Sequence, residues 1–376
     1  MRKALLIYFI IIFSSCYFNC AGQCEEEIKK EYYPKGVLKE AIYFKRDNNL
    51  WMMDINENTQ KQLTRAGIEG YSVSKSGDKV AYACKGNVYL LLLKESQCIK
   101  ISECCNTVLN FRPTAISPDG EKIAFVVPTT FLSVSDVSRI SGTSPPPPAV
   151  KEGAVKQTEI LIYYITSKKV ITLVKELPPY LIHKNYTDID YTIWQDDSLF
   201  WSRDSNQLHF RRDFIPYDEK SGPRSAYIVN LENKKIQYIK EQEQISDWFG
   251  QKILYASEGG NYIYSTSSGV TQNLRGQCFA FTSDWTMGAY TQYNNNQTSI
   301  NIRNNRGENK TVLNLGNQKI GELAWNRNGD TIIFTKYLHV LDKFSPQIWI
   351  VNADGKHLKK IADDAMTPFY VMTSSQ

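Results

Sequence analysis

The stretch Ala115-Ile116-Ser117-Pro118-Asp119-Gly120-Glu121-Lys122-Ile123-Ala124-Phe125 sets the frame for the whole chain. An apolar residue precedes a tight turn, and an alternating strand begins a few residues later. Pro, Asp and Gly supply the backbone angles that such a turn requires. The same frame places turns at Ser74, Ser117, Ser202, Asp247, Thr282 and Asn326, with an aromatic eight residues on at Tyr82, Phe125, Phe210, Tyr255, Tyr290 and Phe334. A seventh copy near the N-terminal end has no turn but keeps Ile42-Tyr43-Phe44. The turns are 43, 85, 45, 35 and 44 residues apart, so the unit is about forty residues long.

Each unit reads as four short strands. The first ends in Val73, Ile116, Trp201, Phe281 or Trp325, and the second is the Ile-Ala-Phe type. The third carries Leu50-Trp51, Val88-Tyr89, Ile160-Leu161, Ala226-Tyr227, Tyr262-Ile263, Ile300 and Ile348-Trp349. The fourth ends near Leu63, Ile101, Leu173, Ile239, Leu274, Leu313 and Ile361. One such sheet cannot cover both its apolar faces, and stacking the units in a ring does so. The expected fold is therefore an all-β propeller of seven four-stranded blades, with six or eight as alternatives. The first unit starts at its second strand, and Thr367–Met372 reads as the missing first strand. Pairing it with Ile42–Phe44 would close the ring. The doubled spacing after Ser117 marks an insertion, 128–157, between the second and third strands of its unit. It contains Pro145-Pro146-Pro147-Pro148, which suits extended polyproline geometry. It reads as a solvated loop or as a docking segment on one rim.

Residues 1–15 read as an export signal: Met1-Arg2-Lys3, then an apolar run from Ala4 to Phe13, then small residues before Cys16. The run is short for a membrane span. Phe13-Ser14-Ser15-Cys16 resembles a bacterial lipobox, which would make Cys16 the lipid-bearing N-terminus. Ordinary secretory cleavage and an uncleaved anchor are the alternatives. Residues 16–40 then form a tether and 41–376 the propeller. The expected location is the periplasm or outer surface, with membrane contact through the lipid. A net charge of +5 without a basic tract gives no reason to expect a nucleic-acid partner. Export permits disulfides. Cys84, Cys98, Cys104 and Cys105 share one unit, which makes a local bridge plausible, while Cys278 stands apart.

The Ser117-Pro118-Asp119-Gly120 unit, together with Leu323–Asp330 and Gln347–Gly355, strongly resembles the TolB-type propeller repeat over roughly residues 40 to 372. The resemblance implies the fold and leaves the activity open. TolB itself is periplasmic, contacts a peptidoglycan-associated lipoprotein, and has an α/β domain ahead of six blades. No such domain is expected between the signal and Ile42, so its role is not expected to carry over. Similar propellers accompany the hydrolase domain of prolyl-oligopeptidase-like enzymes, but no G-x-S-x-G elbow occurs here.

Chemistry-bearing residues are sparse. His183, His209, His339 and His357 form no metal-binding pair, although oligogalacturonate lyases, a similar propeller class, cluster histidines around a metal. His209, inside a second strand, reads as buried, and His357, in a turn, as solvated. Asp188/Asp190, Asp196-Asp197 and Asp363-Asp364 read as turn residues rather than as a glycosidase pair. The repeated Asp119, Asp204 and Asp284 read as turn-formers. No catalytic, metal or cofactor residue is expected. The leading expectation is a non-catalytic, envelope-tethered scaffold for a protein partner, in which Trp248 and Trp285 are candidate anchors. A carbohydrate-binding module, or a polysaccharide- or peptide-processing enzyme using the central channel, is the alternative.

Overall fold

The structure is a computed structural model. It describes residues 40–372 except 103–113, 132–154, 176–191, 217–223, 242–243, 258–259, 341–342 and single positions at 56, 66, 85, 275, 283 and 327. The signal, Cys16, Cys104, Cys105, His183, Asp188 and Asp190 lie outside the described residues.

Among the described residues, 28 strands form seven four-stranded antiparallel sheets, and no α-helix occurs. Blade 2 runs through Ile68–Val73, Lys79–Cys84, Asn87–Leu92 and Gln97–Ser102. Blade 3 follows with Thr114–Ile116, Lys122–Phe131, Val155–Tyr164 and Lys169–Val174, and blade 4 with Thr192–Trp201, Gln207–Pro216, Arg224–Asn230 and Ile236–Glu241. Blade 5 comprises Gln244–Phe249, Lys252–Ser257, Gly260–Ser265 and Thr271–Leu274. Blade 6 comprises Gln277–Phe281, Met287–Asn294, Gln297–Asn304 and Asn309–Asn314. Blade 7 comprises Lys319–Trp325, Thr331–Val340, Lys343–Asn352 and Lys359–Asp363. Blade 1 combines Glu40–Arg46, Asn49–Asp54 and Thr59–Gln62 with the C-terminal strand Ala365–Met372, in which Tyr370 pairs with Ile42 and Phe369 with Tyr43. Seven blades and the closing strand therefore stand as the repeat implied. First strands of successive blades lie side by side and line the ring's interior.

The turn frame repeats atom for atom. The backbone N–H of Ser74, Ser117, Ser202, Thr282 and Asn326 each donates to the carbonyl five residues on, at 2.9 Å. The side-chain oxygen of the same residue accepts that later residue's N–H at 2.9–3.1 Å. The fourth turn position is left-handed in every case: Gly77, Gly120, Ser205, Trp285 and Gly329, with φ between 57 and 72°. Asp247 departs from the expected frame. It sits in a strand opposite Leu254, and the blade 5 turn is the tighter Phe249–Lys252 hairpin with Gly250 at φ 56°. The insertion is shorter than 128–157, because Pro128 pairs with Thr158 and Phe131 with Val155 in a lengthened hairpin.

Six blade junctions carry an apolar cluster of buried side chains. Tyr82 and Tyr89 pack against blade 1, Phe125 and Tyr163 against blade 2, and Phe210 and Tyr227 against blade 3. Tyr255 meets Ile228 of blade 4, Phe334 meets Ile300 of blade 6, and Ile42 and Phe44 meet Ile333 and Ile348 of blade 7. Such burial of apolar surface is the main driving force holding blades together. Among the described residues, the junction of blades 5 and 6 has no comparable cluster.

Candidate functional site

The cause lies on the face that blade 6 turns toward blade 5. In every other blade the repeat's aromatic faces a large apolar partner on the third strand: Phe44 with Trp51, Tyr82 with Tyr89, Phe125 with Leu161, Phe210 with Tyr227, Tyr255 with Tyr262 and Phe334 with Trp349. In blade 6, Tyr290 faces Asn301. Two residues earlier the aliphatic pairs Val80–Leu91, Leu208–Val229 and Ile332–Val351 give way to Gly288–Arg303. Deleting bulk and adding amides on one sheet face opens a groove of about 590 Å³. It is lined by Gln272 and Asn273 of blade 5 and, on blade 6, by Tyr290, Gln292, Asn301, Arg303, Asn309, Lys310 and Thr311. The outermost strands of both blades contribute, so the groove opens on the ring's outer flank.

The groove wall is a hydrogen-bonded row. The Thr311 hydroxyl donates to Asn301 Oδ1 at 2.8 Å, and Asn301 Nδ2 donates to Ser299 Oγ at 2.9 Å. The Tyr290 hydroxyl donates to Asn309 Oδ1 at 3.1 Å, and its ring stacks on Phe279 at 5.0 Å. Asn301 and Tyr290 are buried, at 5% and 8% exposure, so their geometry is held by packing and by satisfied polar groups. Behind them the Phe281 ring lies over Gly288, where a Cβ would come within 2.8 Å of it.

A second polar constellation sits where blades 6 and 7 face the channel. Cys278 occupies a bulge at φ 47°, and burial pushes its thiol up, with Glu322 adding to the shift. Tyr337 packs on Gly321, its phenol pushed up by burial and by Glu322, and Lys319 Nζ lies 5.7 Å from its ring. A thiol held in its protonated form is a poor nucleophile, so this cluster offers little chemistry.

Among the described residues, those singled out in the sequence are not brought together. His209 is fully buried in the second strand of blade 4, as expected. His357 is exposed in a turn at φ 57°, also as expected. His339 lies in the second strand of blade 7. Asp196 and Asp197 are strand residues, not turn residues, and stand opposite Arg212 and Arg211 in the backbone register. Asp364 is a turn residue at φ 50°, and Asp363 ends the preceding strand, bonded to Gln347 and Lys360. Asp204 and Asp284 cap their turns through Ser202 and Thr282, which settles them as structural. Trp248 is buried, with its indole donating to Gly250 O, and is no free anchor. Trp285 is half-buried and stacked on Phe281 at 4.5 Å. Cys98 Sγ lies 3.4 Å from the Tyr82 hydroxyl, and Cys84 is in the core of blades 1 and 2. No group of three metal-ligating side chains occurs among the described residues.

Sequence reasoning missed Asn301, Arg303 and Gly288. The signal was the third-strand core of that unit, a lone Ile300 where other units have an apolar pair.

No protein-family model matches the chain, and no curated protein matches its sequence. Solved structures do resemble it. An oligogalacturonate lyase from Vibrio parahaemolyticus is 12% identical with a TM-score of 0.55, over 86% of this chain and 84% of that one. The β-propeller domain of the Trilobed protease from Pyrococcus furiosus is 16% identical with a TM-score of 0.54, over 88% and 96%. TolB from Acinetobacter baumannii is 14% identical with a TM-score of 0.44, over 75% and 64%. The expectation of a chain that is not an enzyme is corrected by these likenesses, since a lyase and a protease domain carry this same ring. At such identities they establish the architecture, and that is what they identify: a seven-bladed β-propeller.

Proposed function

We propose that this chain is an exported propeller that binds a saccharide in the groove between blades 5 and 6. One observation carries the reading: at a single junction the apolar pairing of the repeat is replaced by a preorganised row of amides, a tyrosine and an arginine. Small-ligand pockets are of this size but are mostly apolar. A lining of planar amides and hydroxyls beside a tyrosine ring instead suits a ligand covered in hydroxyl groups. Giving up a dry junction forfeits about 1.5–3 kcal/mol per large apolar side chain, and such departures from a fold's own rule concentrate at functional sites.

The test is a saccharide array probed with the wild-type chain and with Asn301→Tyr, which rebuilds the pairing seen in blades 2, 4 and 5. Binding by wild type alone, with melting temperature kept, supports the reading. Equal binding by both chains sinks it. Mass spectrometry of the bound sugar in the same experiment shows whether the chain also transforms it.

The opening sequence supports an envelope location with lipid on Cys16. Incorporation of labelled fatty acid, lost in Cys16→Ser, is the corresponding measurement. A protein-partner reading draws on the opposite side of the ring. There the strand ends that flank 103–113, 132–154, 176–191 and 217–223 in sequence all fall on one face of blades 2 to 4.

A further inference from the structure

Resting on the saccharide reading above, we propose that the groove selects a saccharide bearing an anionic group, carboxylate or sulfate, and that Arg303 is the residue that pairs with it. The charged residues lining the groove are Arg303 and Lys310, both cationic, and neither Asp nor Glu lines it. Arg303 is half-buried on the sheet face, at the position held by Leu91, Val229 and Val351 in blades 2, 4 and 7. A guanidinium placed there for structural reasons would be paired with a carboxylate, because an unpaired, partly desolvated charge is costly. No such pairing exists for Arg303 among the described residues. The carboxylate nearest in sequence, Glu308, is held instead by Asn304 Nδ2 at 2.6 Å.

The guanidinium is also positioned. It lies against Gly307, where a Cβ would come within 3.3 Å of one of its terminal nitrogens. Gly307 is itself left-handed, at φ 86°, in the turn joining the third and fourth strands of blade 6. The planar fork of arginine matches carboxylate and sulfate oxygens two at a time, which a lysine ammonium does not. Gln272, Asn273, Gln292 and Asn309 line the same groove with amide donors and acceptors suited to hydroxyls. Lys310 directs its ammonium away, to Ala353 O of blade 7 at 3.4 Å, which leaves Arg303 as the cation of the groove wall.

The experiment measures binding of four hexasaccharides to the full chain at low and moderate salt: a uronic-acid hexamer, the same hexamer fully methyl-esterified, a heparin-derived hexamer and a neutral glucan. The methyl ester keeps every ring and hydroxyl and removes only the charge. The expected result is that a charged hexamer binds about tenfold or more tightly than the neutral ones. That preference should weaken with salt and disappear in Arg303→Gln at unchanged melting temperature. The uronic-acid and heparin arms distinguish carboxylate from sulfate. Should Arg303→Gln fold poorly, Asn309→Glu places a repelling charge directly opposite Arg303 at an exposed groove position and is expected to abolish the same preference. Equal binding of the acid and its ester, unaffected by either variant, overturns the anion selectivity and leaves the saccharide reading standing. Binding of none of the four overturns both.

Discussion

The hydroxyl of Tyr43, on the second strand of blade 1, donates to the carbonyl of Gly77, the left-handed turn residue of blade 2, at 2.7 Å. The phenol is 1% exposed, and Tyr71 reciprocates by donating to Tyr43 O at 3.1 Å. The blade that holds the first and last described strands is thus latched to the next around the ring. Tyr43→Phe removes the donor and leaves a buried carbonyl unsatisfied, so a loss of about 1–3 kcal/mol is expected in chemical denaturation. A loss below a few tenths would mean that water replaces the hydroxyl.

The same latch has a pH signature. Burial, followed by the charge of Asp78, pushes the Tyr43 phenol above its ordinary value. A raised phenol holds its proton in the folded state more tightly than in the unfolded chain. Its contribution is therefore complete below the ordinary tyrosine value of about 10 and is lost as pH rises through the folded value. Wild type should lose stability more steeply above pH ~10 than Tyr43→Phe. Melting curves at stepped alkaline pH check this, and parallel curves would remove Tyr43 from the account.

The acid limb belongs to the turns. Hydrogen bonds from Thr282 and Thr286 hold Asp284 down at about 2, and Asp78, Asp119 and Asp363 are lowered as well. A depressed carboxyl stabilises above its unfolded value and ceases to as pH falls through its folded one. Asp284 is close to fully exposed, so solvent screening keeps its share small. Stability is expected to decline from about pH 4 toward 2. Asp284→Asn should flatten that decline slightly while lowering the plateau at neutral pH. A circular-dichroism melt series across this range reads both effects.

Turn position four separates backbone strain from side-chain contact. At Gly120 an added Cβ meets no atom closer than Lys79 Nζ at 3.7 Å, so Gly120→Ala pays only for its φ of 71°, about 1–2 kcal/mol. Trp285 already pays that cost and recovers part of it by stacking on Phe281. Trp285→Ala keeps the strain and loses the stack, whereas Trp285→Gly loses both. The glycine variant is accordingly expected to be the more stable of the two by about 1 kcal/mol. The reverse order in urea titrations would show that the turn relaxes when the indole is removed.

These turns explain what was legible in the sequence. Polar-first residues at Ser74, Ser117, Ser202, Thr282 and Asn326 make bonds to their own backbone, so the local signal and the fold coincide. Asp247 imitated that signal, but Gly250 offered a tighter hairpin and won. Asp196-Asp197 resembled a turn because the lengthened second strand of blade 4, which pairs them with Arg212 and Arg211, is a tertiary property. The groove was hidden for a different reason. Asn301 and Arg303 are ordinary residues in an Asn-rich strand, and they become unusual only once cross-strand register shows what the other blades place there.

Register also decides how the ring closes. Tyr370 pairs with Ile42 and Ala365 with Arg46, so the last strand completes a blade begun by the first described residues. Ala365 is fully buried with Ile42, Phe44, Ile348 and Ile361, inside the cluster joining blades 7 and 1. A chain ending at Asp364 loses an entire ladder of backbone hydrogen bonds, uncovers that cluster and leaves a bare sheet edge. At about 1 kcal/mol per bond plus the exposed apolar area, the loss is comparable to the whole stability of a typical domain. The truncated chain should therefore unfold without a cooperative transition, and a synthetic peptide spanning 365–376 should restore one. A sharp melt in the truncated chain without peptide would instead show that three strands of blade 1 are held adequately by their neighbours, and that closure contributes little.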